Sequence, residues 1–135
     1  MNGLMNKVNI KVKEHLKNLT LPEHTATGEF KILQAPNDGI MVIKEFEKIR
    51  IVVSTANNLY VDGRDKGVHL VVKVNRNNGK GATHFNIIKD ESQEVEKILD
   101  ELLYIARREI ATKEELKIIS DHARLQVEPN RFLGR

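Results

Sequence analysis

From residue 4 onward, apolar side chains recur every three or four positions. Leu4, Val8, Val12, Leu16 and Leu19 alternate with Lys7, Lys11, Lys13 and Lys17. That spacing predicts an amphipathic helix over residues 3 to 19, with a basic outer face. Leu21-Pro22 ends it, because proline has no N–H to give the helical ladder. From Gly28 the period changes to two. Phe30, Ile32 and Gln34 share one face of a first strand, and Ile40 to Lys44 form a second. PNDG (36 to 39) is the turn between them, with proline presetting φ and glycine tolerating positive φ. Ile49, Ile51 and Val53 line one face of a third strand and leave Lys48, Arg50 and Val52 on the other. After a loop at 56–67, Val68, Leu70, Val72 and Val74 alternate with His69, Val71, Lys73 and Asn75. NRNNGKGA is the next turn, and on the fifth strand the spacing points Phe85 and Ile87 inward. Short turns between successive strands predict an antiparallel meander with one dry face and one wetter face.

The helical period then returns. Asp90 with Gln93, and Thr112 with Glu115, have the spacing of capping boxes. The first of these helices carries Val95, Ile98, Leu99, Leu102, Leu103, Ala106 and Ile110, widened by Tyr104 and Ile105. So broad a stripe serves more than one sheet contact, and predicts a further helix or a second subunit against it. The last helix runs from about 113 to 124 on Leu116, Ile119 and Ala123. The expected fold is α+β: an N-terminal helix (1–21), a five-stranded mainly antiparallel sheet (28–89), and two C-terminal helices (90–124) packed on one face. Residues 125–135 form a loose or partner-docked tail, and the whole of 1–135 is read as a single domain.

Composition sharpens this only a little. The 135 residues are 40% hydrophobic and 30% charged, enough to bury a core without disulfides or metal. The absence of cysteine excludes thiolate nucleophiles and zinc–thiolate sites. No apolar run approaches the ~18 residues of a membrane span, and the N-terminus is too charged for a signal peptide. The expected location is the cytoplasm, away from membranes. A net charge of +3 leans toward phosphate-bearing partners.

Candidate chemistry lies in three places. Strand parity puts Arg50, His69, Lys73, Asn75, His84 and Asn86 on one polar sheet face, where cations and amides suit phosphates and base edges. Two glycine-bracketed loops could cradle an anion: DGRDKG (62 to 67), with Arg64 and Lys66 tempered by Asp62 and Asp65, and RNNGKG (76 to 81), with Arg76 and Lys80. Tyr60 precedes the first loop as a stacking ring. Arg107 and Arg108 near one helix end, and Arg124 near the next, could form an arginine clamp if the helices pair across a dimer. The five histidines show no metal-binding spacing, and Ser54, Ser92 and Ser120 stand in no nucleophile motif. Neither a catalytic residue, a metal nor a cofactor is expected.

The layout over roughly residues 28 to 124 is an antiparallel sheet followed by a helical pair, small, cysteine-free and mildly basic. In architecture it resembles the phage Thoeris anti-defence sponges. The resemblance implies non-catalytic sequestration of a cyclic nucleotide or cyclic ADP-ribose-type signal, between subunits of an oligomer, in the host cytoplasm. No motif carries over, so the resemblance assigns no residue. The leading expectation is therefore a homo-oligomeric binding protein for a small phosphate-bearing ligand. The alternatives are a small basic nucleic-acid-binding module and a protein–protein adaptor using the C-terminal helices and tail.

Overall fold

The structure, a computed structural model, describes residues 2–58 and 67–133, with side chains over 3–57 and 67–123. Helix α1 (Asn2–Lys17) precedes five strands: β1 (Ala26–Gln34), β2 (Ile40–Phe46), β3 (Ile49–Asn58), β4 (Gly67–Arg76) and β5 (Gly81–Ile88). Helices α2 (Val95–Ile110) and α3 (Lys113–Leu133) follow. The strands form one antiparallel sheet in the order β1-β2-β3-β4-β5, the meander that the short turns predict.

One face of the sheet is dry. Val42, Ile51, Val53, Leu70, Val72 and Val74 point into it and are fully buried. They meet Met5, Val8, Val12 and Leu16 of α1 and Leu99, Leu103 and Ala106 of α2. The wide stripe of α2 is accounted for by this double duty, since α2 packs on β4 and β5 and also against α1. Two polar groups within this layer tie α1 down. Lys44, on the buried face, donates to the carbonyls of Lys17 and Leu19, groups that a helix end leaves without partners. Asn9 accepts from the Thr55 hydroxyl and donates to the Asp38 carbonyl, joining α1 to the β1–β2 turn.

That turn differs from its sequence reading. The left-handed residues are Asn37 (φ 58°) and Asp38 (φ 65°), not Gly39. Both types tolerate this region, and two successive positive φ values match the right-handed strand twist. Gly39 is required for another reason: a Cβ there would press into the Thr55 backbone carbonyl.

Two helix boundaries also shift. The Asp90–Gln93 pair closes the turn ahead of α2 rather than capping it. Gln93 Oε1 accepts from the backbone N–H groups of Lys89 and Asp90, while α2 starts behind Glu94 without a side-chain cap. Helix α3 continues to Leu133, past the expected end near 124. Arg124, Leu125, Gln126 and Glu128 are good helix formers and carry the helix past 124, against the cost of Pro129, which has no N–H for the ladder. No helix among the described residues is long and apolar enough to cross a membrane.

Candidate ligand-binding face

Among the described residues no element covers the second face of the sheet, and its side chains follow from the strand register. One row crosses all five strands as Leu33, Met41, Ser54, Val71 and Phe85. The next is Lys31, Ile43, Val52, Lys73 and Thr83. Beside these, Ala56, His69 and Ile87 form a short row at one end, and Glu45, Arg50, Asn75 and Gly81 close the other. Apolar side chains thus fill the middle, with Lys31 and Lys73 flanking Ile43 and Val52. At ~4.8 Å per strand the two lysines stand about 14 Å apart.

This corrects the expected parity of β5. Phe85 does not point inward: it is 61% exposed on the open face, and the half-buried Ile87 shares that face. His84 and Asn86 instead face the helices, opposite Val72 and Leu70, and His84 Nε2 pairs with Glu109 of α2. The local pattern ATHFNII has apolar residues at both parities, so only the turn could decide between them. The register Asn75↔Gly81 decides it, with Arg76 and Lys80 closing the turn by a backbone bond.

At the β4–β5 end of the face, the His69 ring stands edge-on to Phe85, with centroids 4.8 Å apart and planes at 88°. This perpendicular contact fixes the tilt of the Phe85 ring. His69 Nε2 is buried and has no hydrogen-bond partner, an unsatisfied polar group beside the ring. Asn75 packs its side-chain amide over the bare backbone of Gly81, where any Cβ would collide with it. The result is a stacking ring with an unpaired imidazole nitrogen at its edge and a lysine two residues along β4 from Val71.

The arginines expected to clamp an anion are mostly committed elsewhere. Arg76 makes a bidentate pair with Glu115 at 2.5 and 3.0 Å and also donates to the Ile110 carbonyl. The pair lowers the Glu115 carboxyl to about 2, chiefly through the Arg76 hydrogen bond. His24 lies beside it, its Nε2 3.9 Å from Glu115, with burial pushing its pKa down. Arg107 holds Glu23 through two bonds of 2.7 Å, and the Glu23 side chain is 1% exposed. Arg50 pairs with Glu45 at 2.6 Å on the open face. Arg108 lies over the Tyr104 ring at 5.4 Å, exposed, and Lys80 is exposed in the β4–β5 turn. Tyr60, Arg64 and Lys66 lie outside the described residues, as does the side chain of Arg124. The structure therefore does not gather the six described candidates into one site. His69 and Arg50 share the open face, while Arg76 and Arg107 fasten the helices and the 20–25 connection to the sheet.

A groove of about 910 Å³ lies between the 19–22 connection, α2 and α3. Glu94, Glu96, Asp100 and Glu101 outnumber Lys97 and the Glu23-bound Arg107 in its lining, an acidic balance that disfavours a phosphate. At its margin His15 bonds Asp100 at 2.6 Å, which raises the imidazole pKa. Among the described residues, no three His, Asp or Glu side chains gather as a metal would need.

Sequence reasoning missed Phe85 and Lys31 as parts of a site. The alternation around Val71 and the five-residue span from Asn75 to Gly81 were the available signals. No protein-family model matches the chain, no curated protein is similar to it, and no solved structure matches it.

Proposed function

We propose that this chain is a non-catalytic binding protein for nucleotide-containing ligands, and that it takes single-stranded nucleic acid across the open sheet face. The observation that carries the reading is the Phe85 ring, 61% exposed on a face that no described element covers, and held perpendicular to His69. Single-strand binders combine such rings with cations that follow the backbone, and every base offers a π-face to stack. Lys73 and Lys31 supply the cations, and Val71, Val52 and Ile43 give an apolar bed between them. An extended, wall-less platform suits an extended ligand better than a small one. A sequestered cyclic nucleotide would call for an enclosing basic pocket, whereas the groove between the 19–22 connection, α2 and α3 is lined mostly by acids.

Salt separates the two ligand forms. Two or three phosphates neutralised on a single strand should lower affinity about ten-fold between about 50 and 200 mM salt. Fluorescence anisotropy with a labelled single-stranded RNA or DNA oligonucleotide measures this directly. Binding that is insensitive to salt, or tight binding of a mononucleotide with none of the oligonucleotide, would overturn the single-strand reading.

A further inference from the structure

The connection between α1 and β1 carries two polar side chains into the protein. Leu21 and His24 face each other in an isolated antiparallel bridge, with Pro22 and Glu23 between them as a tight turn. The Glu23 side chain is 1% exposed and that of His24 3%. The charged groups acting on His24 come from the elements packed around it: Glu23 in the turn itself, Arg107 from α2, Arg76 from β4 and Glu115 from α3. These four are already matched. Arg107 holds Glu23, and Arg76 holds Glu115 in a bidentate pair. His24 is left out of the pairing. Its Nδ1 is buried with no hydrogen-bond partner, and its Nε2 stands 3.9 Å from Glu115, beyond hydrogen-bond reach.

A proton on His24 would therefore add a fifth charge to a balanced and poorly solvated cluster. An ion buried without a counter-ion is costly, so the ring either stays neutral or its surroundings open to water. We propose that His24 is a mild-acid latch, neutral while the α1–β1 turn, α2, β4 and α3 are joined and protonated as that junction opens. Burial accordingly pushes its pKa below the usual 6.5. In the opened junction the ring titrates at its ordinary value. The latch is thus fully closed above that value and weakens as the pH falls below it, by up to about ten-fold in the closed-to-open ratio per pH unit, until the closed form itself takes up the proton. Leu21 and Pro22, Arg107 of α2 and Ile119 of α3 also wall the acidic groove, so opening the junction exposes the otherwise buried Ile119. Arg76 shares the helix-covered side of β4 with Val72 and Val74, so the latch stands apart from Phe85 and the nucleotide face.

An NMR titration of the full chain from about pH 8 to about pH 4.5, following the histidine Cε1–H signals and the backbone amides, tests the latch. The His24 signal should titrate with a midpoint below 6.5, and the amides of Leu21, Thr112, Glu115 and Ile119 should shift with that same midpoint. His24→Phe keeps a flat ring without the charge. It should remove those amide shifts, and its melting temperature should fall less than the parent's between about pH 7 and about pH 5. His15, His69, His84 and His122 are present in both chains, so the difference belongs to His24. A His24 midpoint at or above 6.5 would overturn the proposal, as would α3 amides that stay put while the ring protonates, or a ring still neutral at the acid end with α3 in place. These three results are read on the unaltered chain and hold whether or not the variant folds. A His24→Phe chain that folds and loses as much stability as the parent over the same range would overturn it too.

Discussion

Replacing Glu115 with alanine should cost about 3–5 kcal/mol, the range for removing one partner of a buried ion pair. For a chain of this length that is a fall of roughly 10–20 °C in melting temperature. The side chains of Arg76 and Glu115 are only 11% and 9% exposed, so the change leaves a guanidinium in a poorly solvated place. It also strips the cap from α3. Glu115 accepts from the Thr112 N–H while the Thr112 hydroxyl accepts from the Glu115 N–H, which is the reciprocal box the sequence predicts. Arg76 further holds the last carbonyl of α2, so three elements loosen together. Arg76→Met with Glu115→Leu should retain most of the stability, because a desolvated pair replaced by packed apolar groups is often neutral. A melting temperature within about 3 °C of the parent for Glu115→Ala would show that this pair does not hold α3 to the sheet.

The same pair sets an acid limit. The folded carboxyl titrates at about 2 instead of the ordinary 4.5. Its contribution is therefore complete above pH 4.5 and is lost as the pH falls toward 2, a total of about 3 kcal/mol. His15 works in the opposite direction. Its raised pKa, due first to the Asp100 hydrogen bond, gives stability that is present at low pH and lost as the pH rises through the folded value. Glu115→Ala should thus flatten the acid side of the stability profile and lower the neutral plateau by the amount given above.

The second large effect concerns binding. Phe85→Ala should weaken oligonucleotide binding by about 1–3 kcal/mol, the value of one stacked base, or roughly 5- to 150-fold. The melting temperature should change little, because the ring is mostly in water. Phe85→Trp should restore binding, since a larger π-surface stacks at least as well. Equal binding by the parent and Phe85→Ala would remove the ring from the site. A loss in the alanine variant that tryptophan fails to recover would point to packing and not to stacking.

Helix α1 and strands β2 to β4 were legible because burial on one side imposes a period that the sequence displays. Val68, Leu70, Val72 and Val74 alternate without exception and all are buried. Strand β5 was not legible, since it lies at the edge and its two faces differ little. One face meets α2 through His84, and the other carries Phe85 into solvent. The roles of the arginines were hidden for a different reason. Arg76 finds Glu115 39 residues away, and Arg107 finds Glu23 84 residues away. No local pattern encodes such pairings, so cations that read as free for phosphate are occupied inside the fold.

The most direct test of the open-face claim is an amide ¹H–¹⁵N spectrum of the chain titrated with a short single-stranded oligonucleotide. The expected shifts fall on Val52, Val71, Lys73 and Phe85, with α2 and α3 unmoved. Shifts confined to the acidic groove around Asp100 and Tyr104, or no shifts at saturating oligonucleotide, would contradict it.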